Sequence, residues 1–176
     1  MFFEGGEVPG PLIESNYRGA AMPKVLIVDD HAFIRRGVQG ILKEFPEWQL
    51  CGEADNGNDA VRLAHEIKPD AIVMDVSMPG LNGVEATRAI RKEDPGVKIV
   101  LLTLHESSEL VRNAFQAGVN GYLLKTDAEQ ELVRALRVVL QRGSYISPRV
   151  DAAVAKEVAA KFDASVVNGG LGSPEN

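Results

Sequence analysis

From Lys24 onward the chain repeats one pattern five times: a short apolar run, a turn, then apolar residues at helical spacing. The runs Val25-Leu26-Ile27-Val28, Ala71-Ile72-Val73-Met74, Ile99-Val100-Leu101-Leu102 and Tyr122-Leu123-Leu124 are continuous rather than alternating. Continuous runs suit strands covered on both faces, the condition of a parallel sheet. Residues 48–53 supply a weaker strand between the first and second of these. The intervening segments place Ile34, Val38, Ile41, Leu42 and Phe45, then Val61, Ala64 and Ile67, on single helical faces. Val84, Thr87 and Ile90, then Leu110, Val111, Ala114 and Phe115, then Leu132, Ala135, Leu136 and Val139 do the same. Asn58 is the expected N-cap of the second helix. Strand and helix in strict alternation predict an α/β fold, a doubly wound five-stranded parallel sheet with helices on both faces.

In such sheets function gathers where the strands end. The first strand runs into Asp29-Asp30, the third into Asp75, the fourth into Thr103 and the fifth into Lys125. Three carboxylates, a hydroxyl and an ammonium are therefore expected at one edge. Unit charges about 5 Å apart repel by about 3 kcal/mol at an effective dielectric near 20. Stability alone does not favour such a gathering. A divalent cation does, and an all-oxygen set points to Mg²⁺. A nucleotide does not fit: phosphate-binding turns after a first strand use glycine backbone, and this turn reads Asp29-Asp30-His31-Ala32-Phe33.

These residues carry a resemblance. Val28-Asp29-Asp30-His31, Met74-Asp75-Val76-Ser77-Met78-Pro79-Gly80-Leu81-Asn82-Gly83, Leu102-Thr103 and Gly121-Tyr122-Leu123-Leu124-Lys125-Thr126 resemble the receiver domain of two-component response regulators, a flavodoxin-like fold. Val-Asp-Asp-His, Lys-Thr and Gly143-Ser144-Tyr145-Ile146-Ser147-Pro148 are most similar to the NarL/FixJ branch, which typically continues into a LuxR-type helix-turn-helix. The resemblance implies that Asp75 accepts a phosphoryl group from a phosphohistidine on a sensor histidine kinase. It implies Mg²⁺ on Asp30, Asp75 and the backbone carbonyl of Ser77, with Asp29 acting mainly through water. It makes Lys125 and Thr103 the partners of the phosphoryl oxygens, and Thr103 and Tyr122 the switch pair. Leu104 and His105 then border the pocket. Leu104 is expected to narrow the path to Asp75, and His105 to orient water if its ring turns inward. A protein with these roles is a phosphoryl acceptor rather than an enzyme. Two alternatives compete: an aspartyl-phosphate phosphatase, which needs an acid where Ser77 stands, and a passive pseudo-receiver, for which the complete set would be superfluous.

The rest of the chain bounds partners and location. Lys and Arg number 19 against 25 Asp and Glu, a net charge of −6. That is a poor surface for nucleic acid, so DNA is expected to be reached only through a separate C-terminal domain. A single cysteine, Cys51, excludes a disulfide framework. No apolar run approaches the roughly 18 residues of a membrane span, and Glu4, Glu7 and Glu14 do not suit a secretory signal. The cytoplasm is the expected location. Residues 1–22 are expected to be a disordered extension, 23–143 the receiver, 144–168 a linker with a helix, and 169–176 a flexible end. Val150, Val154, Val158 and Phe162 recur every fourth residue and need a partner, on the receiver or on a second copy. The fourth and fifth helices and this tail are the candidate surfaces of a homodimer.

Overall fold

The computed structural model describes residues 21–162 and 166–168. Its elements alternate from β1 (Lys24–Val28) and α1 (Ala32–Lys43) through β2 (Gln49–Ala54), α2 (Gly57–Ile67), β3 (Ala71–Asp75) and α3 (Gly83–Glu93). They continue through β4 (Lys98–Thr103), α4 (Ser108–Ala117), β5 (Gly121–Leu124) and α5 (Ala128–Leu140). Three more follow: β6 (Ser144–Ile146), α6 (Ala152–Phe162) and β7 (Val166–Asn168). The strands form one sheet in the order β2-β1-β3-β4-β5-β6-β7, and every neighbouring pair is parallel.

The continuous apolar runs are explained by what each face meets. Leu26, Val28, Ile72, Met74, Ile99, Leu101, Tyr122 and Leu124 point into a core closed by α2, α3, α4 and α6. Their neighbours Val25, Ile27, Ala71, Val73, Val100, Leu102 and Leu123 point into a second core under α1 and α5. Both faces are dry, so the period-two alternation of a half-exposed strand disappears. Each fully buried Val, Leu or Ile stabilises the fold by about 1.5–3 kcal/mol relative to exposure.

The sheet has seven strands where five were expected. β6 and β7 are three residues each, too short to carry a legible hydrophobic period. β6 is held by more than its ladder. Ser147 N donates to the Tyr122 carbonyl at 2.9 Å, and Leu124 N donates to the buried Ser147 Oγ at 2.8 Å. The segment expected as a linker therefore extends the sheet beside β5. α6 lies against α4: Val150, Val154, Ala155 and Val158 join the same core as Val111 and Phe115. Arg112 Nε donates to Glu157 Oε2 at 2.8 Å across the two helices. The valine stripe finds its partner within the chain, which an eleven-residue helix requires. The expectations for residues 1–20 and 169–176, and for the Phe162 side chain, fall outside the described residues.

The second helix starts earlier than expected. Asn56, not Asn58, is the N-cap, and its side chain accepts from Asp59 N at 2.8 Å. Gly57 is tolerated in that first turn because it sits against Leu81: a Cβ there would lie 2.1 Å from the Leu81 carbonyl oxygen.

Candidate functional site

The strand ends meet as the pattern requires. β1 and β3 are direct neighbours, so Asp29 and Asp75 leave the sheet side by side. β4 follows β3 and β5 follows β4, which brings Thr103 and then Lys125 to the same edge. Asp29, Asp75 and Thr103 are each at most 3% exposed. Lys125 Nζ bridges the carboxylates, 2.8 Å from Asp29 Oδ2 and 3.2 Å from Asp75 Oδ1. Burial pushes the Asp75 carboxyl above the ordinary aspartate range, and the negative charge of Asp29 adds to it. Lys125 and the Ser77 backbone N–H offset part of this. Burial alone would weaken the Lys125 ammonium, but Asp29 and Asp75 outweigh it and the lysine is held above its ordinary value.

The loop after β3 is shaped by close packing. Gly83 opens α3, and its N donates to the Val76 carbonyl at 2.9 Å. A Cβ on Gly83 would lie 2.2 Å from the Asp75 carbonyl oxygen. Only glycine lets the start of α3 approach the Asp75 backbone this closely. Asn82 caps that helix in a reciprocal pair with Glu85, fixing the far end of the loop.

Asp29, Asp30, His31 and Asp75 each offer a ligand atom, all within 4.8 Å of one another. Two of the oxygens, Asp29 Oδ2 and Asp30 Oδ1, are buried without a hydrogen-bond partner. The first meets Lys125 in an ion pair; the second lies 3.0 Å from His31 Nδ1, which also hydrogen-bonds Asp29 Oδ1 at 3.2 Å. A cluster dominated by carboxylate oxygens and short of hydrogen bonds fits a hard divalent cation.

Beside it lies the β4–α4 loop. Tyr122 is fully buried, and its hydroxyl donates to the His105 carbonyl at 2.6 Å. Burial pushes that phenol up to about 12, eased by its contact with Thr103. Thr103 Oγ1 accepts from His105 N at 3.1 Å. One hydroxyl thus holds each side of the His105 backbone. The His105 ring turns back toward the loop after β3, with Nε2 3.5 Å from Ser77 Oγ. Ser77, His105, Asn82, Glu85 and Arg88 line an open cleft of about 560 Å³ there. Leu104 is not part of it. It is 69% exposed.

The residue patterns left two contributors unseen. His31 reads as a helix-start residue, yet its ring folds back over the acidic pair. Its place beside two aspartates was the available signal. Ser147 lies in the segment expected as a linker. Nothing in the sequence shows that its hydroxyl is buried on the strand leading to Lys125.

Comparison with known proteins agrees with this geometry. Residues 25–137 match the response regulator receiver domain. The response regulator GacA of Pseudomonas aeruginosa is 42% identical over 129 residues, 73% of this chain and 60% of that protein. The response regulator UvrY of Escherichia coli is 43% identical over 126 residues, 72% of this chain and 58% of that protein. Among solved structures, a LuxR-family two-component response regulator from Aurantimonas superposes with a TM-score of 0.70 at 33% identity, covering 81% of this chain and 99% of that one. The chain spans about 60% of the length of the curated relatives it matches. It belongs to the response regulator receiver domain family, and its doubly wound parallel sheet is the flavodoxin-like fold of that family. Among the described residues no helix is long and apolar enough to cross a membrane.

Proposed function

We propose that Asp75 accepts a phosphoryl group from a phosphohistidine on a sensor histidine kinase, and that this modification switches an output. The observation that carries the reading is Lys125, its side chain 10% exposed, bridging Asp29 and Asp75, with Thr103 at the end of a neighbouring strand. The Asp75 carboxylate oxygen attacks phosphorus in line as the bond to the donor nitrogen breaks. Little covalent help is needed from the protein; positioning and neutralisation of charge suffice. Lys125 supplies a positive charge where the phosphoryl oxygens gather, and Thr103 supplies a hydroxyl donor. Mg²⁺ would be held by Asp30, Asp75 and the Ser77 carbonyl, with Asp29 mainly through water. When bound it supplies charge neutralisation at the phosphoryl group.

Switching follows from the two hydroxyls on the β4–α4 loop. A phosphoryl group that engages Thr103 Oγ1 competes with its bond from His105 N, while Tyr122 holds the His105 carbonyl. The loop then rearranges about Tyr122, next to the β6 contacts and α4. The output proposed is transcription, through a DNA-binding domain that this stretch of chain does not contain, in the cytoplasm. A homodimer is proposed to form on the α4, α5 or α6 surfaces. The protein turns over nothing beyond its own phosphoryl group. His105, beside Ser77, is the residue placed to orient the water that removes it.

The test is incubation with acetyl phosphate and Mg²⁺, followed by intact mass. One acid-stable, base-labile phosphoryl group, absent in Asp75→Asn, is expected. Steady hydrolysis of phosphomonoesters would instead indicate a phosphatase, and no modification would indicate a pseudo-receiver.

A further inference from the structure

We infer that Arg35 is a positioning residue for the acidic edge: its guanidinium clamps the Asp29 carbonyl and so sets where the Asp29 and Asp30 carboxylates stand. The inference rests on the reading of that edge as a dication site. It goes further in assigning a residue outside the cluster that fixes its geometry.

Arg35 lies in the first turn of α1, with its side chain 19% exposed. Its Nη1 donates to the Asp29 carbonyl at 2.7 Å, and its Nε donates to Glu53 Oε2 on β2 at 3.1 Å. The other oxygen of Glu53 accepts from Gln39, one turn further along α1. Glu53 is thus engaged at both oxygens, and the guanidinium is fixed between α1, β2 and the end of β1. Asp29 N donates to the Ala54 carbonyl at 3.1 Å. Both backbone groups of Asp29 are therefore tied to the end of β2, the N–H directly and the carbonyl through Arg35 and Glu53.

This grip reaches both carboxylates. The peptide joining Asp29 to Asp30 is planar, so holding its oxygen also orients the Cα of Asp30. With its backbone pinned, the Asp29 side chain accepts from His31 N at 2.8 Å and meets Lys125 Nζ at 2.8 Å. A bond donated by a guanidinium is stronger than one between neutral groups, and the arginine fork serves two acceptors at fixed geometry. Glu53 also offsets the charge of Arg35. The clamp therefore sets no uncompensated positive charge beside a site that must attract a cation.

The experiment measures Mg²⁺ dissociation constants by calorimetry on the full chain, for wild type, Arg35→Gln, Arg36→Gln and Asp30→Ala, at a temperature where each is folded. Amide exchange without metal, followed by nuclear magnetic resonance, gives a second readout. Arg35→Gln is expected to weaken Mg²⁺ about tenfold. It should also speed exchange of the His31 N–H, which is bonded to Asp29 Oδ1, while the Leu26, Ile27 and Val28 amides of β1 keep their protection. Arg36 is exposed on the same helix, and Arg36→Gln removes the same charge without touching Asp29, so it should change neither readout. Unaltered Mg²⁺ binding in Arg35→Gln, an equal effect in Arg36→Gln, or β1 amides that speed up as much as His31 would each overturn the assignment. Absence of Mg²⁺ binding in wild type, or binding untouched in Asp30→Ala, would instead overturn the dication reading beneath it.

Discussion

Two acidic groups follow strands at the same edge of the sheet, and they are balanced differently. At the ends of β1 and β3 lie the carboxylates of Asp29, Asp30 and Asp75, and the Lys125 ammonium pairs with the first and the last. Just beyond β5, Asp127 and Glu131 have more help. Arg149 Nε is 3.3 Å from Asp127 Oδ1, Arg134 is 3.7 Å from Glu131, and the Tyr145 hydroxyl donates to Glu131. Burial and that carboxylate push the Tyr145 phenol well above its ordinary range, so it stays a donor. The second group meets two guanidiniums and a phenol and ties α5 to β6, although Asp127 Oδ2 is buried without a hydrogen-bond partner. The first is short of such groups and raises the Asp75 carboxyl. Each group leaves a carboxylate oxygen without a hydrogen-bond partner, but the first sets three carboxylates against a single lysine, and the second sets two against two guanidiniums and a phenol.

The largest expected effect comes from deepening the charge deficit of the first group. Lys125→Met leaves two buried carboxylates without their cation and should cost about 3 kcal/mol at neutral pH. Urea unfolding measures it, and a loss below about 1 kcal/mol would mean the carboxylates are solvated rather than paired.

Filling the deficit comes next. About 10 mM Mg²⁺ against a dissociation constant of about 1 mM should add about 1.4 kcal/mol. Asp30→Ala should abolish the increment, and Asp127→Asn should leave it unchanged. If Asp127→Asn removes it instead, the two groups have been assigned the wrong way round.

Removing charge from the deficit should stabilise. The ordinary aspartate value is 3.8, and the folded Asp75 lies above it. Above pH 3.8 the unfolded chain has released this proton while the folded chain still holds a share. The folded state binds more protons, so stability falls as pH rises through the window from 3.8 up to the raised value. Asp75→Asn should therefore be more stable than wild type at neutral pH without dications, by on the order of 1 kcal/mol. The gain should vanish below pH 3.8. Thermal melts across pH decide it, and a variant less stable than wild type at pH 7 contradicts the account.

The smallest effect is expected in the balanced group. Arg149 is 61% exposed, and an exposed ion pair contributes under about 1 kcal/mol. Arg149→Ala should lower stability by less than that, with the loss shrinking in high salt. A larger loss would show that Asp127 depends on Arg149 as Asp75 depends on Lys125.

Much of this edge was legible before any coordinates. The runs ending at Asp29, Asp75, Thr103 and Lys125 are each long enough to read as strands, and a parallel sheet sends all their carboxyl ends to one side. Gly83 stands in the stretch that carries the resemblance, but its close approach to the Asp75 carbonyl was not legible. The orientation of side chains just past a strand was not legible. Leu104 and His105 are consecutive, yet one faces solvent and the other reaches Ser77. Their directions depend on the Tyr122 and Thr103 hydroxyls gripping the loop, contacts made across the fold.

The sequence by itself determined the alternation of elements, the two dry faces and the convergence of the charged set. Those properties repeat over many residues and follow from local period and chain direction. Only the tertiary structure decided that β6, α6 and β7 extend the sheet, that α6 lies on α4, and that the His31 ring covers the acidic pair. Strands of three residues carry too few side chains to show a period. A stripe of valines says that a helix must be covered without saying by what, and the direction of a single ring is settled by the contacts available once the chain has closed around it.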